Sequence, residues 1–239
     1  MIAVIFGIQG VGKSSVVQGV LARFVGENSF RLLQWGDKTY EIALQKGIIR
    51  IGDYRTQSNF TVIYQDEQRG ITIVKDQDKQ HFIYVSEEKF LKNAKDEIRH
   101  LDLATQKALQ MDVTDAFATE ILANPYANYI VETHAALKTL QGYLPGLTIE
   151  FMEQTRPDLY IIIEANPDEI FVRRLHDKER KREHDKTTKD VQTNIDTTRY
   201  FASSYATFTH SPMLIVENKD KLVADTIDNI ATTLERFGK

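Results

Sequence analysis

MIAVIFGIQGVGKSS, residues 1–15, passes from five apolar residues, Ile2 to Phe6, into three glycines, a lysine and two serines within nine positions. Unbroken apolarity of that length is what a strand covered on both faces shows. The next eight residues, Gly7 to Ser14, fit the spacing G-x-x-x-x-G-K-[ST]. Behind them Val16, Val17, Val20, Leu21, Phe24 and Val25 recur at helical spacing, with Gly26 as the expected stop. Strand, glycine-rich turn and helix follow one another in the order this pattern requires. Glycines leave backbone N–H groups free to wrap a phosphate chain, and the helix N-terminus adds a partial positive charge. Lys13 can then reach the terminal phosphates, and the Ser14 hydroxyl can ligate magnesium. A plain glycine-rich turn is the alternative; the agreement of strand, specified residues and helix argues against it.

Four further runs are rich in Ile, Val and Leu on both faces: FRLLQ (30–34), NYIVE (128–132), LYIII (159–163) and MLIVE (213–217). Helical patterns lie between them. Ala108, Leu109, Val113, Phe117 and Ile121 recur within 102–122, and NPDE (166–169) supplies a cap, a proline at the first helical position and acids in the first turn. Two more helices are read from Val191, Ile195, Phe201 and Tyr205, and from Leu222, Ile227, Ile230 and Leu234. The alternation predicts a three-layer α/β fold with a five-stranded parallel sheet. One region departs from it. From about Ile49 to Phe90 the period is two, with FTVIYQ (60–65), GITIVK (70–75) and HFIYV (81–85) separated by polar turns, which predicts three antiparallel strands. The expected organisation is a core of residues 1–48 and 93–239 with a β-rich insertion at 49–92.

Composition narrows the function classes. With 239 residues, 42% of them apolar, and only 12 Gly and 5 Pro, the chain can bury a real core. The absence of cysteine excludes a disulfide scaffold, a Cys-based zinc site and thiol catalysis. No basic leader or long apolar window is evident, so a cytoplasmic protein without a membrane partner is expected. A formal charge of -4 argues against a general nucleic-acid binder. The six histidines show no pair with metal-ligand spacing, so no zinc is assigned.

Other candidates surround the phosphate loop. Glu132 leaves a strand and could hold a magnesium-bound water, or could be a solvated strand end. GYLPGL (142–147) is expected as a rigid loop against a base or ribose, or as an ordinary tight turn. The run 173–189, RRLHDKERKREHDKTTK, has eight Arg or Lys against four Asp or Glu. Guanidinium forks match phosphate oxygens and neutralise spreading charge, whereas a solvated helix with i,i+4 pairs and a basic groove are the other possibilities. Asn218-Lys219-Asp220 imitates N-K-x-D, but Lys221 breaks the match; that loop is still expected where a purine could rest.

Beyond the phosphate loop, WGDKTYEIA (35–43), DEIRHLDLATQKALQ (96–110), ETHAALKTLQGYLPGL (132–147), RPDLYIIIEANPDEIFVRRL (156–175) and TTRYFASSYA (197–206) resemble the archaeal-type adenylate kinases. The likeness runs through nearly the whole chain outside 49–92. It implies a P-loop nucleoside monophosphate kinase that transfers the terminal phosphoryl group of Mg-ATP to AMP, giving two ADP. By position, Gly7, Gly10, Val11, Gly12, Lys13, Ser14, Ser15 and Asn218 would bind ATP, with Ser14 and Glu132 holding Mg2+, the latter through water. Gly36, Asp37, Arg99, Thr133, His134, Gly142, Tyr143 and Pro145 would form the AMP site, with Arg99 on the phosphate. Lys13, Arg99, Arg173, Arg180 and Arg182 would be catalytic, the last three from a lid at about 173–189, with Arg199 nearby. The resemblance also implies a homotrimer. Two features depart from the family: Glu132 stands where Asp is usual, and 49–92 is added. A P-loop kinase for another monophosphate or small metabolite, and a slow ATPase switch binding protein or RNA, remain the alternatives.

Overall fold

The computed structural model describes residues 1–56, 59–139, 141–176, 187–219 and 222–237. Its strands are β1 (Ile2–Phe6), β2 (Phe30–Gln34), β3 (Ile49–Ile51), β4 (Thr61–Asp66), β5 (Ile71–Lys75), β6 (His81–Val85), β7 (Asn128–Glu132), β8 (Ala136–Thr139), β9 (Gly142–Pro145), β10 (Leu159–Glu164) and β11 (Met213–Glu217). The helices are α1 (Lys13–Leu21), α2 (Trp35–Gln45), α3 (Leu91–Glu97), α4 (Leu103–Ala123), α5 (Ile149–Thr155), α6 (Pro167–His176), α7 (Thr188–Thr209) and α8 (Val223–Phe237). No helix among the described residues is long and apolar enough to cross a membrane. The chain forms two compact units, one of Met1–Leu33, Ala118–Ala136 and Pro145–Lys239, the other of Gln34–Phe117 and Leu137–Leu144.

The first unit is built on the expected five-stranded sheet, in the order β11-β10-β1-β7-β2. The central pairings are parallel, with Ala3 opposite Leu159, Ile2 opposite Tyr129 and Tyr160 opposite Met213. Successive strand residues face opposite sides. Ala3 and Ile5 of β1 meet Val16, Val17 and Val20 of α1, Ile170 of α6, and Ile230 and Leu234 of α8. Phe6 instead stacks on Tyr160 at 5.9 Å and meets Tyr205 of α7 at 5.7 Å. Each large apolar side chain buried this way stabilises the unit by about 1.5–3 kcal/mol. Helix α1 packs closely on α8 at Gly19, where an added Cβ would stand 2.2 Å from Ile227 Cδ1 and would force that side chain to shift.

Helix ends follow local chemistry. The Asn166 side chain accepts from the Asp168 N–H at 2.8 Å, as the NPDE cap predicts. Thr187 and Asp190 form a capping box at the start of α7. The expected stop at Gly26 is corrected: α1 ends at Leu21, and the bonds Arg23 N–H to Val20 O and Phe24 N–H to Leu21 O tighten its last turn. Phe24 then packs edge-on against Phe30 at 4.9 Å, and Gly26 opens a short 3₁₀ turn. Apolar spacing alone extends the helix too far, because Phe24 is half-buried by this contact after the helix has ended.

In the second unit a four-stranded sheet runs β3-β6-β5-β4. Pairs β4–β5 and β5–β6 are antiparallel, as the period-two pattern predicts. A fourth strand joins them, since β3 lies parallel to β6 with Ile49 opposite Ile83. Three residues are too few to display a period. The loop expected at GYLPGL is also corrected: Gly142–Pro145 is a strand, and it pairs with β8. Gly142 supplies φ of 123°, and its carbonyl accepts from Thr139 Oγ1 at 3.0 Å.

Candidate active site

Residues 7–12 join β1 to α1. Gly10 and Gly12 each have φ of 85°, a conformation that side chains rarely adopt. An added Cβ at Gly12 would also lie 2.6 Å from Asn218 Nδ2. Donors bind the carbonyls of this loop in turn. His134 Nδ1 lies 2.9 Å from Gly7 O. Arg174 donates through Nε and Nη2 to Gln9 O at 2.8 and 2.6 Å. Arg173 Nη1 reaches Gly10 O and Val11 O at 3.4 and 3.5 Å, and Asn218 Nδ2 donates to Val11 O at 2.7 Å. Occupying the carbonyls fixes the peptide planes, and with them the N–H dipoles that an anion would meet.

The next two residues connect the loop to the end of β7. Lys13 Nζ donates to Thr133 O at 2.7 Å and stands 3.4 Å from Glu132 Oε1. Ser14 Oγ donates to the same Glu132 oxygen at 3.1 Å. Hydroxyl and carboxylate oxygens at adjacent positions are the donor types a magnesium ion and its waters accept. Val11 is buried and Ser15 is exposed.

Beyond β7 the backbone is held by Tyr205, whose hydroxyl donates to Ala135 O at 2.7 Å and accepts from the Gly146 N–H at 3.0 Å. Burial pushes this phenol up to about 12. Glycine is required at 146, where a Cβ would come 1.6 Å from His134 O. Thr133 is buried within this bracket and Pro145 is exposed at its edge.

The acceptor candidates of the second unit lie on other elements. Gly36 and Asp37 open α2, and Lys95 of α3 ion-pairs with Asp37. Trp35, just before them, donates from Nε1 to Gln110 Oε1 at 2.7 Å and meets Phe117 edge-on at 5.6 Å. Arg99 lies in the 3₁₀ turn Ile98–His100, and its buried Nε has no hydrogen-bond partner among the described residues. Gly142 and Tyr143 lie on β9.

One expectation changes in detail. Asn218 is only 3% exposed, with its N–H on Glu164 O at 2.6 Å and its amide on the phosphate loop, so it braces that loop instead of facing outward to a purine. Arg180 and Arg182 lie outside the described residues. Arg174 escaped notice inside a run read as a whole, although its spacing of four from buried Ile170 puts both on one helix face. Glu164 escaped too: it takes two hydrogen bonds from Arg199, at 2.6 Å through Nε, and these raise the Arg199 pKa.

Residues 80–191 match the AAA domain family. An adenylate kinase of Methanopyrus kandleri is 34% identical over 151 residues, covering 63% of this chain and 78% of the relative. Adenylate kinases of Methanococcus vannielii and Pyrococcus abyssi are 26% and 28% identical, each across 98% of this chain and 97% and 95% of the relatives. A shikimate kinase structure from Bacteroides thetaiotaomicron aligns over 98% of both chains at 12% identity and a TM-score of 0.44.

Proposed function

Since the chain belongs to the adenylate kinase family, whose members are phosphotransferases, we propose that it moves the γ-phosphoryl group of Mg-ATP to AMP and yields two ADP. The observation that carries this reading is the junction of loop and strand: Lys13 and Ser14 both converge on Glu132 at the end of β7. A lysine beside a glycine-rich loop can follow the migrating phosphoryl group, and the loop N–H groups neutralise charge that spreads over its oxygens. Ser14 and Glu132 would hold the magnesium ion, directly and through water. That ion supplies further neutralisation of the phosphate oxygens.

Acceptor binding is assigned to Gly36, Asp37, Arg99, Thr133, His134, Gly142, Tyr143 and Pro145, with Arg99 on the AMP phosphate. The buried Nε of Arg99 supports this role, because a guanidinium donor without a protein acceptor gains most from an anionic oxygen. Arg173 reaches the loop carbonyls and would meet the phosphates, joined by Arg180 and Arg182 on the family resemblance. The same resemblance supports a cytoplasmic homotrimer, which light scattering would check.

The test is purified protein with Mg-ATP and, in parallel, AMP, CMP, UMP, GMP or no acceptor, with products separated by chromatography. ADP formed rapidly with AMP alone is the expected result. Equal loss of ATP without an acceptor would overturn it in favour of a nucleotide-dependent switch.

A further inference from the structure

The turn between β4 and β5 carries Arg69, and this side chain enters the segment that bears Arg99. Arg69 ion-pairs through Nη1 with Glu97, which is only 1% exposed, and approaches Asp96 at 3.9 Å. It is also tied to the backbone of α3. Arg69 Nη2 donates to Asn93 O at 3.3 Å, and Asn93 Nδ2 donates back to Arg69 O at 3.0 Å. The other oxygen of Glu97 meets His100 Nδ1 at 2.8 Å, and the His100 ring packs edge-on against Tyr64 of β4 at 6.2 Å. Glu97 and His100, which bracket Arg99 in sequence, are thus both held. The turn itself is seated by Gly70, where φ is 64° and a Cβ would lie 2.3 Å from Phe90 Cδ2. Its carbonyl accepts from the Ser86 N–H at 2.9 Å.

We infer that Arg69 is a positioning residue for Arg99: the β4–β5 turn clamps the Glu97–His100 segment and so sets the geometry in which Arg99 receives the acceptor phosphate. The inference rests on the acceptor role proposed for Arg99. It gives residues 49–92 a part in monophosphate affinity. A buried carboxylate held by a guanidinium on one oxygen and an imidazole nitrogen on the other is a stiff anchor, because a displacement that lengthens either bond leaves the carboxylate less well paired in a dry environment. Arg99 is two residues from that anchor, and its own Nε is buried without an acceptor. A shift of the anchor therefore moves a guanidinium donor that has no hydrogen-bond partner among the described residues.

The experiment uses the full chain and compares wild type, Arg69→Met, Arg69→Lys and the double variant Arg69→Met with Glu97→Gln, which removes both charges together and leaves no orphaned carboxylate. Each is also made with Arg99→Met. Folding is checked by circular dichroism, and KM for AMP, KM for ATP and kcat are measured separately. In the double variant AMP KM is expected to rise about tenfold while ATP KM stays within about twofold, and Arg69→Lys should recover part of the loss. In the Arg99→Met background the same substitutions should add nothing to AMP KM. Unchanged AMP KM in the folded double variant, or effects that multiply with Arg99→Met, would overturn the inference while wild-type turnover of AMP still supports the acceptor role. Wild-type protein that makes no ADP from AMP would remove the acceptor role, and the inference with it.

Discussion

Two segments of the chain reach order by opposite means. Residues 7–14 are set by backbone demands: two glycines with φ of 85°, and carbonyls bound one after another by His134, Arg174, Arg173 and Asn218. Residues 93–100 are set by charge, through Arg69, Glu97 and His100. A peptide dipole that is held in place meets any phosphate in the same way, so the first segment suits a ligand part common to all nucleotides. Ion pairs depend on the identity and reach of particular side chains, so the second can be altered without disturbing the first.

Lys13→Ala should separate the two most sharply. Loss of the cation that follows the migrating group is expected to lower kcat by about 100- to 1000-fold, with thermal unfolding little changed. Comparable turnover in stopped assays would end the claim that the loop does the chemistry. Arg99→Met should act on the acceptor alone, raising AMP KM by about 10- to 100-fold, the loss of a charged hydrogen bond, while leaving ATP KM near wild type. A matched rise in both constants would erase the division of labour.

Glycine replacements probe the backbone side of the contrast. Gly12→Ala combines strain of about 1–3 kcal/mol with a clash at Asn218, and should weaken ATP binding measured by calorimetry. Gly47 has φ of 65° but open space around its Cβ position, so Gly47→Ala should lower the melting temperature slightly and leave nucleotide affinity intact. The smallest effect is expected from pH. Burial pushes the Glu97 carboxyl up, but the His100 hydrogen bond and the Arg69 charge outweigh it and hold its pKa below the usual carboxylate range. Its stabilisation is therefore complete above the unfolded value of about 4.3 and is lost as pH falls through the lower folded value. Glu97→Gln should flatten the acid limb of a melting-temperature profile, and an unchanged limb would deny the pair its electrostatic role.

The same contrast explains what the sequence discloses. All five core strands are legible as apolar runs; the central β1, β7 and β10 are buried on both faces, which forces unbroken runs such as IAVIF and LYIII, while the edge strands β2 and β11 keep exposed positions. The phosphate loop is legible because φ of 85° at positions 10 and 12 strongly favours glycine. The pairing of Arg69 with Glu97 is invisible to pattern, since 28 residues separate the partners and each alone reads as a surface charge. Strand β3 is too short to show a period, and Arg174 differs from Arg173 only by helix phase. Asn218 opens an imitation of N-K-x-D that Lys221 breaks, and pattern does not disclose that its amide binds Val11 O in the phosphate loop, 207 residues away in sequence.

Trp35 is the chain's one tryptophan, buried directly before Gly36 and Asp37. Excited beyond tyrosine absorption, the unlabelled protein therefore emits from a single point, and that point belongs to the unit that carries Arg99. AMP titrated into a cuvette should shift the colour or brightness of this emission, whereas a nucleotide confined to the glycine loop should leave it unchanged. The molecule thus carries its own lamp in the unit to which the acceptor role is assigned.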